Sequence, residues 1–105
     1  MSSRRDRFDE LVLDAAETVE QRWGSPLGLE LAVEEVPPSD PAPWEHDVAL
    51  GRLFPAQGGM PARLVVYRRP VLHRAADEVE LGALVTEVVV EQVARMLGRD
   101  PEDLV

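Results

Sequence analysis

Residues 84–105 read LVTEVVVEQVARMLGRDPEDLV, and the reading of this stretch decides the fold. Together with Leu81, the residues Leu84, Val85, Val88, Val89, Val93, Met96 and Leu97 recur at three- and four-residue spacing. That spacing predicts a helix with a wide apolar face. Gly98 is its stop, leaving about four turns after Gly82 at 3.6 residues per turn. The acidic ending DPEDLV reads as a further turn. Opposite the apolar face runs a stripe of Glu87, Glu91 and Arg95, flanked by Gln92. Glu91 one turn N-terminal to Arg95 is the favourable order for an ion pair, worth a few tenths of a kcal/mol. A solvated face with one surface ion pair accounts for the stripe by spacing alone.

Working outward, HRAADEVELG predicts helix as well, either continuous with the stretch above or joined to it near Gly82. Asp77, three residues before Glu80, is a plausible N-cap. ARLVVYRRPV carries Leu64, Val65, Val66 and Tyr67 in a row. Such a run predicts a strand covered on both faces and hence central, with Pro70 ending it. QGGMP is a turn and VALGRLFPA a short strand. The segment PPSDPAPWEHD, with four prolines in eleven residues, must be loop, anchored by Trp44. LGLELAVEEV alternates Leu27, Leu29, Leu31 and Val33 with Gly28, Glu30, Ala32 and Glu34, the period of a half-buried strand. At the front, Phe8, Leu11, Val12, Ala15, Val19 and Trp23 mark a helix that Gly24 and Pro26 close. The fold class is therefore α+β: one domain over residues 1–105, a small mixed sheet packed against an N-terminal and a C-terminal helix.

Composition removes whole classes of chemistry. Apolar residues make up 45% and charged residues 30%, as in a folded protein. The absence of Cys excludes disulfides, thiolate metal sites and cysteine nucleophiles. The eleven basic residues are all Arg, and against twenty acidic ones they leave a net charge of −9. A field of that sign repels a phosphate backbone, so nucleic acid is not an expected partner. No apolar run is long enough for a membrane span or a signal peptide, and a cytoplasmic location is the expectation.

Few side chains are left to carry a reaction. His46 and His73 are the only histidines, and each reads as a surface residue before it reads as a ligand or base. Glu87, Glu91 and one of these histidines form a metal set on paper, with Arg95 one turn away repelling a cation. Gly58-Gly59 lacks the strand, helix and Lys of a phosphate loop and is a turn. Arg68 and Arg69 are expected to pair with acidic loops. Trp23 and Trp44 are expected to be core or loop anchors.

With these landmarks in place, the chain resembles the small, single-domain zincin-like metallopeptidase family of bacteria. The resemblance rests on RFDELVLDAAETV, LAVEEVPPSD, LGRLFPA, PARLVVYRRPVL and the ending LGRDPEDL; the most specific piece is VVYRRP. It implies a minimal zincin-like domain. In the family, the final helix carries His-Glu-x-x-His, then a Gly and an acidic residue three further on. Two His four apart reach one zinc ion, and the Glu acts on the metal-bound water as general base. Registered on Gly98, those positions fall here on Glu91, Gln92, Arg95 and Pro101. An alternative register through Thr86, Glu87 and Val90 supplies no zinc trio either. Gln92 cannot act as a base, Arg95 offers only donors, and Pro101 has no side-chain donor atom. The family's segment before the Tyr-Arg-Arg-Pro strand is longer and helps form a substrate edge, whereas FPAQGGMPAR here is short. The expectation is a non-catalytic member with Glu-Gln-x-x-Arg in place of the zinc site, no metal cofactor, and a protein or peptide partner. The alternatives are a metal-dependent peptidase using Glu87, Glu91 and His46 or His73, and a structural or oligomeric module.

Overall fold

The computed structural model describes residues 3–38 and 49–105. Helix α1, Arg4–Trp23, begins at a reciprocal cap: the Ser3 hydroxyl accepts from the Asp6 amide at 3.0 Å, and the Asp6 carboxylate accepts from the Ser3 amide at 3.3 Å. It ends at Gly24, whose φ of 90° only a residue without Cβ adopts cheaply. Three strands follow, β1 (Leu29–Glu34), β2 (Gly51–Phe54) and β3 (Ala62–Tyr67), in the sheet order β1-β3-β2. β1 runs parallel to β3, with Leu31 opposite Leu64; β2 runs antiparallel to it, with Leu53 opposite Leu64. The sheet is thus mixed, and β3 is its middle strand, as the four-residue apolar run predicts.

Leu64 and Val66 turn toward the helices and join Phe8, Val12 and Val19 of α1 in the core. Val65 and Tyr67, on the opposite face, are also buried. Between β2 and β3 the chain reverses at Gly58 and Gly59, both with positive φ, and Gln57 and Met60 exchange two backbone hydrogen bonds across the turn. Positive φ at both central positions is what a two-residue hairpin loop demands and what Gly-Gly supplies.

Two boundaries differ from the sequence reading. The middle strand ends at Tyr67, not at Pro70, because a short helix α2, Arg68–Arg74, begins there. Pro70 is its third residue; the first turn of a helix has no intrahelical acceptor for its N–H groups, so a residue lacking one costs nothing there. His73 consequently lies on this helix rather than just past a strand. The second boundary concerns Gly82, which joins nothing: α3 runs unbroken from Glu78 to Leu97, and the helical break falls at Ala75–Asp77. Asp77 caps α3, its carboxylate accepting from the Glu80 amide at 2.8 Å. The predicted stop at Gly98 holds, with φ 66°.

Beyond it a one-turn 3₁₀ helix η1, Pro101–Leu104, folds back on α3 and buries Leu104. That return explains why Val90 and Ala94, outside the predicted face, are also buried. Arg22 of α1 donates from Nε to the Val105 carbonyl at 2.8 Å and fastens the end of this turn. The Pro-rich loop from residue 39 on, with Trp44 and His46, lies outside the described residues.

The end of β1 is tied to both neighbouring helices through one carboxylate. Glu35 receives Arg5 at 3.5 Å, Arg68 at 3.2 Å and Arg69 at 3.4 Å, as expected for Arg68 and Arg69. Only Arg68 is well shielded, its side chain 16% exposed, so it carries most of the interaction. Glu35→Gln is expected to lower stability by about 1 kcal/mol, discounted for exposure, in urea unfolding. The loss should shrink in molar salt; a salt-independent loss would mean that shape, not charge, is what Glu35 supplies.

Candidate functional site

The site is built where α3 ends. At Gly98 the chain turns left-handed, and the Arg99 amide donates to the Ala94 carbonyl at 2.9 Å. Asp100 then caps η1, accepting from the Glu102 amide at 3.0 Å, with Pro101 at the first helical position. Cap, proline and the buried Leu104 together bring residue 101 back beside the helix it has just left.

The four positions of the Glu-Gln-x-x-Arg stretch and its distal Pro therefore share one end of the molecule, but they divide around the ridge of α3. Glu91 and Pro101, with Glu87, Thr86 and Val90, line a shallow depression of about 390 Å³. Gln92 and Arg95, with Met96, line a groove of about 820 Å³ between α3 and β2, whose far wall includes Gly51, Arg52 and Leu53. Glu91 and Arg95 do not pair: among the described residues no ion pair joins them. The expected i,i+4 bridge is thus absent from the structure, in which Glu91 borders the depression and Arg95 the groove. His73 is exposed on α2 and lines neither hollow; His46 lies outside the described residues. Among the described residues no group of three His, Asp or Glu side chains is placed to hold a metal ion.

The groove depends on Gly51. A Cβ built there would lie 2.6 Å from Val88 Cγ1 and 3.2 Å from the Val65 carbonyl oxygen, and 3.9 Å from Gln92 Cγ. Glycine lets β2 approach α3 at this point and leaves Gln92 open to the groove. β2 is also an edge strand, pairing on one side with β3 and, among the described residues, with nothing on the other. The Tyr67 amide donates to the Leu50 carbonyl at 2.9 Å, which fixes the phase of the ladder. Arg52 and Phe54 aim their backbone polar groups at β3, so Gly51 and Leu53 aim theirs outward along the groove.

The arginines complete the description. Arg5, Arg68 and Arg69 sit on Glu35, Arg7 on Glu78, Arg63 on Glu34, and Arg22 on the Val105 carbonyl. Arg99 lies 5.4 Å from the Trp23 ring centre, and Arg74 is likewise engaged. Among the described residues this leaves Arg4, Arg52 and Arg95 without a charged partner. Two of these three line the same groove. Sequence reasoning placed Arg95 and missed Arg52. Its signal was there: in GRLF, Arg52 is flanked by the two residues that the alternation turns toward the helices.

Residues 27–105 match a family described as zincin-like metallopeptidase, a span from the start of β1 to the end of the chain. No curated protein matches the chain. Among the described residues no helix is long and apolar enough to cross a membrane.

Proposed function

The chain belongs to the zincin-like metallopeptidase family, and from that premise we propose that it is a non-catalytic member that binds a protein or peptide segment in the groove between β2 and α3. The observation that carries this reading is the donor set at the positions of the family's metal site. Glu91 offers one carboxylate, Gln92 a neutral amide, Arg95 a guanidinium with no lone pair, and Pro101 no donor atom. Zinc needs three protein donors that converge, and a cation adjoining the site opposes it. These residues do not fit the metal.

What is retained is the scaffold. An edge strand with outward N–H and C=O groups beside a helix wall is the arrangement that accepts an extended segment as an added strand. Main-chain bonds supply affinity, and side chains along the groove supply selectivity.

Metal analysis of protein purified without chelator tests the first half, with substoichiometric zinc as the expected result. Thermal melting with and without EDTA should agree to within about a degree. A bound ion at a hundredfold excess over its dissociation constant contributes about 2.7 kcal/mol, which for a domain of this size moves the midpoint by roughly 10 °C or more. A fall of that order on chelation sinks the reading.

A further inference from the structure

We infer that the segment accepted by this groove is acidic, with carboxylates on two adjacent residues of an extended strand, one held by Arg52 and the next by Arg95. The inference rests on the peptide-binding reading above and names its partner class.

It begins from the uneven fate of the arginines. In a chain of net charge −9 almost every guanidinium described here has found a carboxylate, a carbonyl or a ring. Among the described residues Arg52 and Arg95 have no such partner, although both line one groove. An arginine without a partner among the described residues of so acidic a protein is available to an external anion. Its planar fork suits a carboxylate, which it can bind through two parallel hydrogen bonds.

The ladder then sets the register. A strand added along Gly51–Phe54 bonds to the outward groups of Gly51 and Leu53. Its residue opposite Arg52 lies on the same face as Arg52, within cross-strand pairing distance. The neighbouring residue opposite Gly51 turns to the other face, toward α3. There Gly51 presents no side chain, and the groove wall beside it is Gln92, with Arg95 three residues further along α3. Two consecutive acidic residues therefore meet two different arginines on opposite faces of the added strand. The Gln92 amide has a donor to offer the second carboxylate.

The long-range field opposes this partner, since the protein as a whole is acidic. At physiological salt that repulsion is screened beyond about 8 Å, whereas the contact pairs are closer than this and partly withdrawn from water. The field therefore slows encounter more than it weakens the bound state.

The test uses the full chain, isotopically labelled, and short synthetic peptides with a central Val-Glu-Glu-Val core or its Val-Gln-Gln-Val counterpart. The Glu peptide is expected to bind at least tenfold more tightly by fluorescence polarisation, the scale of a charge-assisted hydrogen bond. Its amide perturbations should centre on Gly51 and Leu53. Arg52→Gln and Arg95→Gln, each folded as wild type by circular dichroism, should each weaken the Glu peptide several-fold more than the Gln peptide. If both peptides perturb Gly51 and Leu53 with equal affinity, acidic selectivity is overturned and peptide binding stands. If neither peptide binds, both readings are overturned.

Discussion

Gly51→Ala is expected to lower the thermal midpoint by roughly 5–15 °C. The added methyl would sit 2.6 Å from Val88 Cγ1 and 3.2 Å from the Val65 carbonyl oxygen. Neither neighbour can give. Val88 is β-branched on a helix and held to one rotamer, and it is only 4% exposed. The Val65 carbonyl belongs to the middle strand. Overpacking of this kind costs about 1–3 kcal/mol, each kcal/mol moving the midpoint by about 4–8 °C in a domain of this size. One effect pulls the other way: alanine reduces the freedom of the unfolded chain, which stabilises by about 0.4–1 kcal/mol where the native backbone suits it. The steric cost is the larger of the two and decides the sign. Val88→Ala in the same chain should restore part of the loss, so that the double variant is more stable than the sum of the single effects predicts. A Gly51→Ala protein that melts with wild type would contradict the close approach of β2 to α3, and with it the shape of the groove.

The elements of this fold were legible where periodicity or punctuation is local. Phe8 to Trp23 and Leu81 to Leu97 repeat with the helix, the run Leu64–Tyr67 could only be a covered strand, and Gly24, Asp77 and Gly98 stand at the ends of helices for reasons that each residue carries in itself. What misled was proline. Pro70 read as a terminator because the strand before it is apolar, yet a helix had already begun at Arg68, and proline is harmless in a first turn. In the sequence Gly82 leaves one helix or two open, and the helix runs through it. Its cost inside a helix is about 1 kcal/mol, which the buried Leu81 before it and the buried valines after it outweigh.

The site was half legible. Positions 91, 92, 95 and 101 follow from registering the ending on Gly98, because the left-handed turn there is local. Which way each side chain leans does not follow from i,i+4 spacing. η1 folds back on one flank of α3 and β2 approaches the other, so Glu91 goes with Pro101, and Gln92 and Arg95 go with β2. The first depends on the turn after Gly98, and the second joins residues distant in sequence. Arg52 was overlooked because the alternation in a four-residue strand is brief, and its importance comes from the helix across the groove.

The register itself admits a direct test. Glu91→His, Arg95→His and Pro101→Asp, made together, are expected to give a protein that binds zinc stoichiometrically at neutral pH, where wild type does not. Positions 91 and 95 are one helical turn apart, with about 5–6 Å between their Cβ atoms, a span that two imidazoles can close around one ion. Residue 101 borders the same depression as residue 91, held there by the Gly98 turn and by the buried Leu104. All three positions are exposed, so the substitutions cost the apo fold little. At a hundredfold excess of zinc over its dissociation constant the ion should add about 2.7 kcal/mol, raising the midpoint by roughly 10 °C or more, and EDTA should reverse the gain. Arg95→His alone should not, because one imidazole and one carboxylate fall short of three donors. If the triple variant folds and holds no zinc, residues 91, 95 and 101 do not converge. The helix would then owe its shape to the core alone, and the substitutions at its outer stripe would say nothing about a lost metal.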